Sequence, residues 1–96
     1  MTNLLNAKKS VEQAITHYTY DEVSHAGLHV RNAAMLLRGG EYQHISKWLF
    51  VTHEELMSDI YDKGYILQEL EEDLQSIRDE LLNQSGNFIY PLEGEL

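Results

Sequence analysis

Apolar residues recur at three- and four-residue steps along nearly the whole chain, the period of helices with one buried face. Leu4, Ala7, Val11, Ala14, Ile15 and Tyr18 form the first stripe and predict a helix over residues 3–17. Thr19-Tyr20-Asp21-Glu22 follows and reads as a capping box, with the Thr19 hydroxyl on a free amide of the next helix and Glu22 reaching back. Val23, Ala26, Val30, Ala33, Ala34 and Leu37 form the second stripe, which Gly39-Gly40 ends. The small residues Ala26, Gly27, Ala33 and Ala34 predict that a neighbouring helix approaches closely there.

Ile45, Trp48, Leu49 and Val51 predict a third, shorter helical piece over residues 41–51. The last predicted helix is the longest, from about Thr52 to Asn83, with Thr52-His53-Glu54-Glu55 read as a capping box at its start. Leu56, Ile60, Leu67, Leu70, Leu74, Ile77 and Leu81 fall on a near-heptad seam that His53 and Lys63 interrupt. Gly64 within it marks a close contact or a bend. After Gly86 the segment Asn87-Phe88-Ile89-Tyr90-Pro91-Leu92 is short, apolar and non-helical in character. The expectation is an all-α fold: a small three- to four-helix bundle at residues 1–86 with a long C-terminal helix, then a short non-helical tail at 87–96. The tail is either a strap across the helices or a peptide for a partner. A seam with more apolar surface than two short helices cover also predicts a homodimer.

Composition narrows the class. Ninety-six residues, 43% of them hydrophobic, suit one domain and argue against wholesale disorder. The absence of cysteine excludes a disulfide framework, a thiolate metal site and a cysteine nucleophile, and favours a reducing cytoplasm. No apolar run is long enough for a membrane-spanning helix, and the stretch from Met1 to Lys9 lacks the pattern of a signal peptide, so no membrane association is expected.

Charge changes the picture more. Residues 1–48 hold Lys8, Lys9, Arg31, Arg38 and Lys47 against four acids, a net of +1. Residues 49–96 hold Lys63 and Arg78 against twelve acids, a net of −10. Such a field suits a basic protein partner and repels a phosphate backbone, so direct nucleic-acid binding is not expected. Glu69, Glu71, Glu72, Asp73, Asp79 and Glu80 all lie off the leucine seam and are expected to show their carboxylates to solvent. A solvated helix face is the simplest reading. The near absence of a neutralising base, with Arg78 alone after Lys63, makes these six the candidate partner-binding residues, with Phe88 and Tyr90 of the tail beside them.

Two further patterns bear on chemistry. His25 and His29 are four apart, with Asp21 and Glu22 nearby, a spacing that presents two imidazoles and a carboxylate to one divalent metal. They also suit an ordinary polar helix face, and with no H-E-x-x-H motif and no cysteine, neither metal nor cofactor is expected. Arg38-Gly39-Gly40-Glu41-Tyr42-Gln43-His44 resembles the arginine-to-histidine signature of HEPN-type ribonucleases. That resemblance implies a helical, dimeric ribonuclease in which Arg38 and His44 position RNA and polarise it for 2′-hydroxyl attack. The same stretch reads alternatively as an arginine that ends a helix before a glycine turn. No G-x-S-x-G elbow or phosphate-cradling glycine loop is present.

The function expected is therefore non-enzymatic: a small acidic inhibitor that binds the basic surface of a nucleic-acid-handling protein. Anti-nuclease, anti-restriction and anti-CRISPR proteins of phages are the analogy, by size and charge alone. The alternative is a helical adaptor or chaperone-like module that binds through apolar surface.

Overall fold

The computed structural model describes the backbone of residues 2–94 and the side chains of residues 3–84. Four helices follow one another: α1 (Thr2–Thr19), α2 (Val23–Leu37), α3 (Gln43–Ser58) and α4 (Lys63–Gly94). Each packs on two neighbours, α1 and α3 both against α2 and α4. The short connections at 20–22, 38–42 and 59–62 make consecutive helices antiparallel, so the result is an up-down-up-down bundle. No helix among the described residues is long and apolar enough to cross a membrane.

The first two stripes form the core, apart from Val23, which is exposed at the start of α2. Leu4, Ala7, Val11 and Ala14 of α1 meet Ala26, Val30, Ala33 and Leu37 of α2, all buried. The small residues of α2 bring other helices against its backbone. Ser46 of α3, itself fully buried, donates to the Ala34 carbonyl at 2.7 Å, so this polar contact is satisfied inside the core. A Cβ added at Gly27 would stand 2.6 Å from the Met57 sulfur.

The turn between α1 and α2 differs from the expected capping box. Thr19 is the last residue of α1, and its hydroxyl donates back to the Ile15 carbonyl at 2.7 Å. Asp21 adopts φ 65, its N–H donates to the Tyr18 carbonyl, and the Glu22 N–H donates to the His17 carbonyl. That is a Schellman motif with aspartate in the left-handed position usually held by glycine. Helix α2 therefore starts at Val23 with no side-chain cap from Glu22. Lys63, at the start of α4, lies 2.9 Å from the Thr19 carbonyl and 2.9 Å from Asp21 Oδ1. It covers an orphan carbonyl at the C-terminal end of α1, where a cation is favoured, and ties that turn to α4.

The third and fourth helices divide elsewhere than expected. Thr52 does not begin a helix. It is fully buried in the middle of α3, on one stripe with Ile45, Leu49 and Leu56, and a restart there would break a packed face. Helix α3 ends instead at Asp59, which adopts φ 63. Ile60 consequently lies in the connection and is 77% exposed, off the seam, while Ile66 is buried in its place. Gly64 sits in the first turn of α4 with nothing within 4 Å of where a Cβ would be, so it marks a helix start rather than a close contact or bend.

Leu70, Leu74 and Ile77 are buried and Leu67 and Leu81 half-buried within the one chain. The full-length α3 covers the buried part of this seam together with α1. The helical trace of α4 runs on to Gly94, where the sequence suggested a non-helical tail. Gly86 and Pro91 cost a helix interior about 1 and about 3 kcal/mol against alanine, which are penalties rather than prohibitions. The strap expected of residues 87–92, and the roles of Phe88 and Tyr90, concern side chains outside the described residues.

This core makes a direct prediction. Ile77→Ala lowers the unfolding free energy by about 3 kcal/mol in urea titrations, whereas Ile60→Ser changes it by less than about 0.5 kcal/mol. Equal losses at both positions would restore Ile60 to the seam.

Candidate functional site

On α4, Glu69, Glu72, Asp73 and Ser76 are separated by three- and four-residue steps and share one face. Across from them on α3 stand Trp48 and Val51, 49% and 53% exposed. Together these six line a groove of about 320 Å³ between the two helices. Three of its residues, Glu69, Glu72 and Asp73, belong to the acidic set read from the sequence. Glu71, Asp79 and Glu80 are not among its lining. Asp79 instead accepts from the Gln75 amide at 2.9 Å along the helix.

Asp73 departs from the expected solvent face: only 6% of it is exposed. It follows Leu70 by three residues and precedes Ile77 by four, which places it on the buried stripe. Its Oδ2 lies 2.6 Å from the hydroxyl of Thr52, and that hydroxyl also lies 3.1 Å from the Trp48 carbonyl. Burial is the main force on its carboxyl and pushes it up to about 7; the Thr52 hydrogen bond opposes the rise, and Glu69, Glu72 and Glu55 add to it. Glu69, half-buried, is also raised, first by burial and then by Glu55 and Glu72. Glu55 of α3 closes the cluster. Its Oε2 takes a long contact of 3.4 Å from the Tyr65 hydroxyl, and its Oε1 is buried with no hydrogen-bond partner among the described residues.

Among the described residues no Lys, Arg or His forms an ion pair with these carboxylates. Arg78 is turned toward α1, 3.9 Å from Glu12, which also holds Lys8 at 3.1 Å. The groove is thus a partly desolvated anionic slot with an indole wall. Such a slot suits a guanidinium or ammonium group, through charge-assisted hydrogen bonds to carboxylates and a cation–π contact with Trp48.

Three histidines gather between α1 and α2. The His17 ring of α1 stacks with both His25 (5.2 Å, 19°) and His29 (5.1 Å, 12°) of α2. Glu22 is engaged by His17 Nδ1 at 2.5 Å, and Asp21 by Lys63. Among the described residues no three His, Asp or Glu side chains are grouped to share a metal ion. His29 is lowered from its ordinary value, first by burial and then by His17 and His25.

Arg38 and His44 have separate surroundings. Arg38 caps the end of α2, with its guanidinium 3.9 Å from the Met35 sulfur, and Gly39 turns the chain at φ 75. His44 stands in the first turn of α3, edge-on to Trp48 at 5.3 Å. The stretch is locally a helix end followed by a turn. Compared with known proteins, the chain matches no family model, no curated protein and no solved structure.

Two pH dependences follow, of opposite sign. The folded protein binds the His29 proton less readily than the unfolded chain, so the contribution of His29 is complete above about pH 6.5 and is lost as pH falls below it. His29→Leu therefore flattens the acid-side fall in the urea midpoint between pH 8 and 5. Asp73 holds its proton more tightly when folded, so its contribution is complete below pH 3.8 and is lost as pH rises toward about 7. Asp73→Asn should gain stability over the parent between pH 4 and pH 8; a constant difference across that range would place the charge elsewhere.

Proposed function

We propose that this chain is a non-enzymatic interaction protein that captures the basic surface of a protein partner in the α3–α4 groove. The observation that carries this reading is the groove itself: Glu69, Glu72 and Asp73 face Trp48, and the one base later in the chain than Lys63 is committed to α1. A net charge of −9 steers a cationic surface toward it and speeds encounter. The partner proposed is a nucleic-acid-handling protein, in whose basic cleft carboxylates along a rigid helix stand in for phosphates. Inhibitors that phages direct at nucleases, restriction enzymes or CRISPR effectors are the analogy in size and charge.

A second reading, an adaptor that binds through apolar surface, draws on another part of the molecule. Tyr20 and Ile60 are 73% and 77% exposed on connections that Lys63 holds at one end of the bundle, and Tyr61 stacks on Tyr65 there at 5.1 Å. Salt separates the two, since screening weakens the electrostatic association and leaves the apolar one.

Trp48 is the sole tryptophan and therefore reports on the groove directly. An arginine-rich peptide should perturb its fluorescence saturably, with affinity falling as salt rises. Glu69→Gln with Glu72→Gln should weaken binding by at least about tenfold at unchanged helicity. Glu71→Gln with Asp79→Asn, the same change in net charge outside the groove, should weaken it by less than about twofold. Equal losses in the two pairs would leave net charge, and not the groove, as the determinant.

A further inference from the structure

Asp73 lines the groove and is more than nine-tenths buried, an unusual place for a carboxyl with no base beside it. The groups acting on it are Thr52 and Glu55 from α3 and Glu69 and Glu72 from its own helix; no Lys or Arg is among them. The hydrogen-bond geometry can be counted by protons. The Thr52 hydroxyl owns one hydrogen, yet its oxygen lies within bonding distance of two oxygens, Asp73 Oδ2 and the Trp48 carbonyl. The carbonyl only accepts. Both contacts are hydrogen bonds when Asp73 is the neutral acid, which donates to Thr52 while Thr52 donates to Trp48. With Asp73 ionised, one of the two contacts loses its hydrogen. Oδ1 has no hydrogen-bond partner among the described residues and belongs to a side chain that lines the groove. Burial and three neighbouring carboxylates act in the same direction as the proton count, toward the neutral acid, and outweigh the pull of a Thr52 proton donated to the carboxylate.

We propose that Asp73 is a proton-exchange group at the floor of the groove: it is held as the neutral acid while the groove is open, and it gives its proton to solvent when a guanidinium or ammonium group enters. This rests on the cation-binding reading of the groove. The exchange balances in charge and atoms, since one cationic group arrives, one proton leaves, and the carboxylate left behind pairs with the newcomer. A cation in the slot supplies the positive neighbour that the free protein lacks. Capture of a basic surface is thereby tied to pH near neutrality, tighter on the alkaline side.

The test has two independent parts, both on the full chain. In the free protein, the side-chain carboxyl carbon of Asp73 is followed by NMR against pH, and its midpoint is expected near neutrality. A midpoint in the ordinary carboxylate range overturns the exchange and leaves the groove reading standing. An arginine-rich peptide is then titrated at several pH values. Affinity should rise about tenfold per pH unit below the midpoint and level off above it, the slope of one proton released. The Asp73 midpoint should fall by at least about one unit at saturation. Asp73→Asn should bind with little pH dependence over the same range. Binding of the parent that is independent of pH overturns the exchange alone. No binding at any pH overturns the groove reading and the exchange with it.

Discussion

The contact between Thr52 and Asp73 is the constraint around which the second half of the molecule is arranged. A threonine in the middle of α3 and an aspartate in the middle of α4 meet 2.6 Å apart, and without that contact the buried Asp73 would have no hydrogen-bond partner among the described residues. Each helix has only one register that brings the two together, so the pair aligns α3 on α4 as a leucine contact would not. The alignment then decides what faces outward on either side. Trp48 stands one turn before Thr52, and Glu69 and Glu72 stand close before Asp73, so the same register that satisfies the hydroxyl assembles the groove.

The first half is held by a different means. Helix α2 presents alanines and a glycine, and both of its neighbours approach its backbone. That packing has little side-chain volume to specify geometry, and directional contacts supply it: Ser46 on the Ala34 carbonyl, Asn32 on Ser10 at 2.7 Å, and Lys63 across the α1–α2 turn. Each hydrogen bond contributes only about 1 kcal/mol net. Their value lies in choosing one arrangement of nearly smooth helices among several.

The sequence and the structure agree where local pattern and tertiary packing coincide. The stripes of α1 and α2, and the glycine stop after Leu37, were legible because apolar residues recur there without interruption. The division between α3 and α4 was not, because Thr52-His53-Glu54-Glu55 has the composition of a cap while Thr52 itself continues the stripe Ile45, Leu49, Leu56. The true stop, Asp59 in a left-handed conformation, has no strong local signature, and neither has Asp21 in the preceding turn. Asp73 was visible as a charge but not as a core residue, although its steps from Leu70 and to Ile77 are those of a buried position. The acidic field was legible in sign and not in place. Only packing shows that Arg78 belongs to α1 and that Trp48 and Val51 wall the slot.

A buried acid and a half-buried imidazole give the bundle two opposed dependences on pH. From pH 3.8 upward the unfolded chain ionises at Asp73 before the folded chain does, so this group favours the folded state less as pH rises, until about 7. His29 acts the other way, since the unfolded chain gains its proton first as pH falls below 6.5. Between those limits the two groups act in opposite directions, while folded Asp73 keeps its proton until the pH approaches about 7. Above about 7 the His29 contribution is complete and the Asp73 loss has levelled off, so little further change in stability comes from either group. The anionic groove is then fully charged on a scaffold that no longer responds to pH through these two residues. The proton that sets the charge of the site is thus also one that sets the stability of the bundle, and the folded chain gives it up only near pH 7, where the stability it costs has already been lost.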